Sequence, residues 1–429
     1  MALTALCSGL ARAVLWPLLA ALVFLPDLAL SQVLPEGRSW ADIPRPEYAP
    51  LGIRAGGFNV YPRLRTEAAY DSNVFARASD ERDDVVITVR PELEVQSDWS
   101  VHALGLSAFA ESSIYPSIAN EDHTDFGIGG SGTYEISSAT QLSVDARYAF
   151  LHEDRGDIDT AFTADGPISL DRIDIRASLQ HRFNRLQLGI NAGFDRFDYD
   201  DGLLADNSVV DQDFRDRSQV SVEGIARYAL SPVFGLYVSG AYKTTDHDFS
   251  PESVDFVEGV DLERDFDEIA VDGGIAVEIT DTLYATLGAG YFSARFTDPS
   301  FQNENGVRVR ADVLWNVTSL TTLRAGAARE TQAAASPIAP IRVNTSVTFG
   351  MDHELLYNFI LTADARYQLR DFDPIDRSDK EYAATIGGQY LLNTYARVRL
   401  AYNFQQRNSP IGVFDFTRHQ VIARIDLTY

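Results

Sequence analysis

The sequence predicts an all-β fold: a transmembrane antiparallel β-barrel of about 18 strands, preceded by a signal peptide and a short periplasmic arm. Three observations lead there. Segments of alternating apolar and polar residues follow one another from Phe58 to the C-terminus. Short and long links alternate between them. After the N-terminal segment, no apolar run is long enough for a transmembrane helix.

Composition sets the outer limits. The 429-residue chain is 45% hydrophobic and 23% charged, which suits an ordered protein. Its mean hydropathy of -0.13 is compatible with a barrel, because half of each strand faces water. The net charge of -26 speaks against nucleic acid as a partner, since phosphate binding needs clustered Lys and Arg.

Residues 1–31 read as a signal peptide. Arg12 supplies the positive region, AVLWPLLAALVFL the apolar core, and Ala29, Leu30 and Ser31 the small-x-small cleavage site. The uncharged run from Ala13 to Pro26 is short for a membrane anchor. Cys7 is the only cysteine and lies within the segment to be removed. The mature chain is therefore expected to have neither disulfide nor Cys-based metal site. Residues 32–57 are rich in Pro and Gly and read as a periplasmic arm, leaving 58–429 for the outer-membrane barrel.

The strands then follow in order. In Asp83–Gln96, Val85, Ile87, Val89, Leu93 and Val95 share one side; Thr88, Arg90, Glu92 and Glu94 share the other. Arg172–Arg182, Val307–Val317 and Tyr395–Gln405 repeat the pattern, with charge at mid-strand on the polar side. The eighteen expected strands are 58–70, 83–96, 100–113, 125–136, 140–152, 171–183, 186–199, 216–230, 233–246, 265–279, 282–297, 305–317, 320–331, 341–354, 358–372, 379–392, 395–408 and 416–429. Within them, Asp125–Ile136 holds four Gly, and Thr282–Thr297 is apolar on both faces. Short turns such as Asn184-Arg185 and Thr280-Asp281 mark one rim. Long acidic links such as EDRGDIDTAFTADGPISLD mark the other. An even strand number places both chain ends at the short-turn, periplasmic rim.

The final stretch, HQVIARIDLTY, fits this scheme. Val421, Ala423, Ile425, Leu427 and Tyr429 would face lipid, while Arg424, Asp426 and Thr428 face the lumen. Tyr429 would sit in the interfacial aromatic belt. The terminal aromatic after alternating apolar residues also resembles the signal read by the outer-membrane barrel assembly machinery.

RPEYAPLGIRAGGFNVYPRLRTEAAYDSNVF, residues 45–75, resembles the leading segment of the second putative β-barrel porin family. Pro46, Tyr48 and Pro50, the Gly52–Gly56 step and YDSNVF at Tyr70–Phe75 carry the resemblance. It implies an outer-membrane channel of a Gram-negative bacterium, associated with exopolysaccharide export. Read locally, Asp71, Ser72 and Asn73 are turn formers, and Val74 and Phe75 are placed to fold back over a rim.

Eighteen strands enclose more space than wall side chains fill. Alternation assigns Arg308, Arg310, Arg366, Arg397, Arg399 and Arg424 to the lumen from late strands, and Asp145, Asp174, Glu223 and Asp272 from middle ones. Opposed arcs of charge would orient a solute in transit; neighbouring Arg–Asp pairs would instead cancel much of that field. DFDPIDRSD brings Asp371, Asp373, Asp376 and Asp379 close together, but lacks the Gly and Glu of an EF-hand loop, so a solvated acidic face is the better reading. None of the seven His stands in a recognisable catalytic motif.

The expected function is passive passage of polar solutes through an outer-membrane porin-like channel, with exopolysaccharide export as its specific form. A general diffusion porin is the alternative, and a surface hydrolase a further one. The chain is read as no enzyme and as needing no cofactor. Expected partners are outer-membrane lipid, the barrel assembly machinery during insertion, polysaccharide or small polar solutes, and a periplasmic polysaccharide export component docked by the arm.

Overall fold

The computed structural model describes residues 34, 37–160, 164–248, 262–336, 339–372 and 375–429. The expected signal peptide lies outside them. Eighteen long strands form the wall: β1 (Phe58–Asp71), β2 (Asp84–Ser97), β3 (Ala103–Ile114), β4 (His123–Ser137), β5 (Thr140–His152), β6 (Ser169–Phe183), β7 (Leu186–Tyr199), β8 (Arg217–Ser231), β9 (Phe234–His247), β10 (Phe266–Thr280), β11 (Leu283–Phe296), β12 (Glu304–Thr318), β13 (Thr321–Ser336), β14 (Ala339–Leu356), β15 (Phe359–Phe372), β16 (Arg377–Leu391), β17 (Ala396–Asn408) and β18 (Phe416–Thr428). Each pairs antiparallel with the next, and β1 pairs with β18 from Arg63↔Thr428 to Asp71↔Gln420. The sheet is thereby closed. Closure satisfies the backbone groups that hydrocarbon would leave without partners.

Both faces follow from the alternation. Val85, Ile87, Val89, Leu93, Ile175, Leu179, Val307, Leu400, Val421, Ile425, Leu427 and Tyr429 are exposed on the outside, as a lipid-facing surface requires. The interleaved Arg65, Arg90, Glu111, Arg366, Glu381 and Arg424 are buried on the inside. Tight turns join strands at one rim, and the register shifts just before several of them, as at Ala229/Ser231, Glu278/Thr280 and Asn316/Thr318. The extra residue accommodates the strand twist at the turn.

At this rim a short strand, Ile53–Ala55, pairs with Phe58–Val60 of β1. Gly56, between them, has φ +63, a conformation that favours glycine. The Gly52 N–H donates to the Tyr429 carbonyl at 3.0 Å, so this strand continues the line of β18 past the end of the chain.

One expectation is corrected. The link between β13 and β14 was expected to be long, spanning 332–340. Instead both strands run on through most of it, with Ala333 opposite Ile341 and Ser336 opposite Ala339.

Outside residues at mid-strand should resist charge. Ile386→Arg, at a position 61% exposed on the outer face, is expected to destabilise the folded barrel by about 2–4 kcal/mol. Urea titration in phospholipid vesicles measures this.

Candidate functional site: a lumen capped by its own loops

The inner wall is laced with ion pairs. Arg308 of β12 meets Asp272 of β10 at 3.0 Å. They reach across Gly290 of β11, where a Cβ would lie 2.3 Å from Asp272 Oδ1. Arg366 bonds Glu381 at 2.8 Å, Arg424 bonds Glu67 at 2.7 Å, and Asp174 accepts from Arg172 at 2.7 Å. Glu223 accepts from Asn191 at 3.0 Å, and Asp145 stands opposite Arg176 in the β5–β6 ladder. Arg310 lies on the same face of β12 as Arg308. Arg399 faces Arg424 across β17–β18. Charges are thus met largely by their neighbours, which is the arrangement that cancels a transverse field.

At the mouth away from the tight turns lie residues 153–160 and 164–168 of the link between β5 and β6. It leaves β5, and its acids bind wall arginines on the far side. Asp154 accepts two bonds, at 2.8 and 3.0 Å, from Arg418 of β18, which also donates to Asp71 at 2.7 Å, and a third at 2.6 Å from the Gly156 N–H. The Gly156 carbonyl accepts from Arg407 of β17. Asp159 pairs with Arg342 of β14, halfway round the ring from β5. Near its origin the link is held by Arg155 on Glu121 at 2.9 Å, by Glu153 on Arg215, and by Ala164 and Ile168 packed on Leu151, Leu170 and Tyr199. Glu381 anchors the far wall: Arg366 and Arg370 reach it at 2.8 Å and Arg407 at 3.1 Å.

The second part of the cap is the tip of the β13–β14 hairpin. Ile341 packs on Phe266 and Ala294, and Val343 on Ala270 and Phe292. These four wall residues point inward from β10 and β11. Thr331 donates to Glu268 of β10. The Ala334 carbonyl accepts from Arg264, which also binds the Phe214 carbonyl. Ala339, Ile341 and Val343 are at most 4% exposed, although their side of the hairpin continues the lipid face of β14. The tip is therefore folded into the lumen.

The opposite mouth holds the N-terminal segment. Ser39 donates to Asp352 at 3.1 Å, Trp40 N–H to Thr322 at 3.1 Å, and Arg45 to Glu354 at 2.6 Å. The Arg38 carbonyl accepts from Asn316 at 3.0 Å, and the Tyr48 carbonyl from Arg397 at 3.4 Å. Asn316, Thr322 and Asp352 stand on the inner face of β12–β14. This stretch runs along the inside of the tight-turn rim.

The first loop joins the cap as well. Val74 is buried, and Arg155 lies 5.7 Å from the centre of the Phe75 ring. Asn73 bonds the carbonyls of Arg77 and Thr417 at 2.8 and 3.0 Å. In DFDPIDRSD, Asp379 pairs with Arg377 at 2.6 Å and Asp371 accepts from Ser378 at 2.7 Å; Asp373 lies outside the described residues. A tighter acidic group, Asp201, Asp211 and Asp213, is exposed in the link after β7. Among the described residues no serine hydroxyl bonds a histidine ring. The ring bonds of His152, His181, His353 and His419 go to Asp125, Thr140, Thr321 and Tyr402.

Sequence reasoning missed Arg342, Arg407 and Arg418. Each lies on the inward parity of its strand or near a strand end, so the same alternation would have found them.

A closed barrel, apolar outside and lined with charge inside, defines an outer-membrane channel of the porin class. Residues 45–429 match the family model described as Putative beta-barrel porin 2, and the chain belongs to that family. It is a β-barrel porin of the Gram-negative outer membrane. Among solved structures it is similar to the outer membrane protein OpdK of Pseudomonas aeruginosa, with 13% identity over 86% of this chain and 99% of that one (TM-score 0.45). It is similar to OccK2 (OpdF) of the same organism, with 11% identity over 86% and 98% (TM-score 0.48). OccAB4 of Acinetobacter baumannii shows 14% identity over 86% and 98% (TM-score 0.46). Among curated proteins, none matches.

Glu381 accepts from three guanidinium groups, those of Arg366, Arg370 and Arg407. Glu381→Gln leaves them without that counter-charge and is expected to cost about 3–5 kcal/mol of stability, measured by denaturant titration in lipid.

The cap should also respond to pH. Burial pushes the Asp157 carboxyl well above the usual carboxylate range, and Asp154 and Glu153 push it further. Asp159 is also raised by burial, but Arg342 outweighs this and holds its carboxyl at about 2. The docked link thus binds a proton at Asp157 more tightly than an undocked link does. Its contribution is complete below the ordinary carboxylate pKa, about 4, and is lost as pH rises through the raised value. Asp159 acts in the opposite sense, and only below about pH 4. Conductance is expected to rise as pH increases above that point, and Asp157→Asn to flatten the rise. Single-channel recording across a pH series tests both.

Proposed function

We propose that this porin is a gated conduit for polar solutes, closed at rest, and that exported polysaccharide is its cargo. The carrying observation is the bonding of Asp154, Gly156 and Asp159, which follow β5, to Arg418, Arg407 and Arg342 across one mouth. An eighteen-strand lumen is wide enough to carry water. Left uncapped, it would leak small metabolites. A capped one serves a cargo that arrives from inside and displaces the cap. Arg308, Arg310, Arg366, Arg397, Arg399, Arg424, Asp145, Asp174, Glu223 and Asp272 would line the path. Passage needs no bond-making, so the wall charges serve to hydrate and position the cargo, not to catalyse. A periplasmic export component would meet the barrel at the tight-turn rim, where the arm lies.

The alternative, a general diffusion porin, requires a standing open pore. Planar-bilayer recording separates the two. The gated conduit predicts a mostly silent channel whose open probability rises when residues 157–166 are replaced by a short Gly-Ser link. Deletion of the gene is expected to reduce surface polysaccharide. A steady large conductance of the unmodified protein would favour the diffusion porin, and silence of both forms would sink the channel reading.

A further inference from the structure

The β12–β13 ladder runs from the tight turn to Val309↔Arg329 and ends there. The β13–β14 ladder goes on past that height to Ser336↔Ala339. The hairpin tip therefore leaves the wall as a unit. Along that edge, β12 continues alone from Arg308 to Glu304, while its other edge stays paired with β11 up to Glu304↔Ala294. The result is a notch in the wall at the height of Tyr291 and Val307, both exposed on the outer face.

Antiparallel register is linear, so the continuation of the broken ladder is fixed. Arg308 would face Glu330, Val307 would face Thr331, Gly306 would face Gln332, and Asn305 would face Ala333. Alternation then assigns the faces. Thr331, Ala333, Ile341 and Val343 would look outward beside Val307. Glu330, Gln332 and Arg342 would look inward, with Glu330 opposite Arg308. The sequence suits this second seat as well as the observed one. Ile341 and Val343 are apolar enough for lipid, and they are equally suited to the Phe266 and Phe292 patch they now cover.

We infer that the two arms of the hairpin, residues 330–336 and 339–343, have two seats and that exchange between them gates the channel. In the inner seat its apolar face covers β10 and β11, and Thr331, Ala334 and Arg342 latch it to Glu268, Arg264 and Asp159. In the wall seat the same face meets lipid and the notch is zipped by new β12–β13 hydrogen bonds. The two states exchange one set of satisfied groups for another, which is the condition for a bistable element. Small side chains at Ala325, Gly326, Ala327 and Ala328 precede the departure point, and Ala333, Ala334 and Ala335 form the tip. Leaving the inner seat also removes Arg342 from Asp159, so the hairpin and the 153–168 link open together. This inference rests on the channel reading of the preceding section.

The test uses the full chain in a Cys7→Ser background, which is otherwise free of cysteine. Val307→Cys with Thr331→Cys joins the wall seat; Ala270→Cys with Val343→Cys joins the inner seat. Each pair is oxidised in proteoliposomes. Link formation is read by peptide mass, and gating by conductance. Both pairs are expected to cross-link. The wall link should raise open probability about tenfold or more over the reduced protein, and the inner link should abolish opening, each reversed by reductant. Efficient inner-seat linking with no wall-seat linking would overturn the two-seat inference. So would two efficient links with the same open probability in both. Linking at both seats in a protein that passes no ions in any state would uphold the two seats and overturn the channel reading instead.

Discussion

A peptide group inside hydrocarbon has no solvent to bond, and this one constraint governs the molecule. It requires every spanning strand to have two neighbours, so the first strand must find the last. The β1–β18 ladder from Arg63↔Thr428 to Asp71↔Gln420 is where that demand is met. Strand length, alternation and the sign of each face follow from it. A residue on a closed wall has only lipid or lumen to face, and the period of two decides which.

Once the ring is closed, its interior becomes the place where charge has to be managed. The chain carries a net charge of -26, yet arginine dominates the buried inner positions of the closing strands. The wall arginines and the link acids complement one another. Asp154, Asp159 and Glu153 pair with Arg418 of the wall, Arg342 of the hairpin tip and Arg215 of the β7–β8 link. Buried ion pairs of this kind add little net stability compared with apolar packing. What they supply is position. Each guanidinium donates to its carboxylate in few geometries, so the acids of the link are held in place at the mouth. The apolar contacts of Ile168 and Val343 supply the contact area, and the arginines set the register.

The wall was legible because period two is a strong signal when both solvents are known. The thirteen residues of β18 and the fifteen of β6 announce their faces residue by residue. Eighteen strands and their parity could therefore be read from the sequence. The cap could not be read in this way. An aspartate in EDRGDIDTAF has the same local pattern whether it meets water or Arg418 from 264 positions away. The arm was obscure for a similar reason: Pro and Gly mark irregular backbone, not its destination. One clue to the inward hairpin was present. The expected strand 282–297 is apolar on both faces, which a wall between lipid and water does not need. Phe292 and Ala294 are apolar on the inside because Val343 and Ile341 lie against them. A strand that breaks alternation inside a barrel marks where something else is packed.

The arm within the tight-turn rim bears on how such a molecule is made. Residues 38–48 are bonded to the inner face of β12, β13, β14 and β17, and Gly52 is tied to Tyr429. A stretch that precedes every strand of the wall is thus bonded to strands from its second half. Bonds to four strands inside the rim, and from Gly52 to the end of β18, tie the seating of the arm to the closure of the ring. The bond from the Gly52 N–H to the Tyr429 carbonyl fastens the arm beside the seam between the first and last strands.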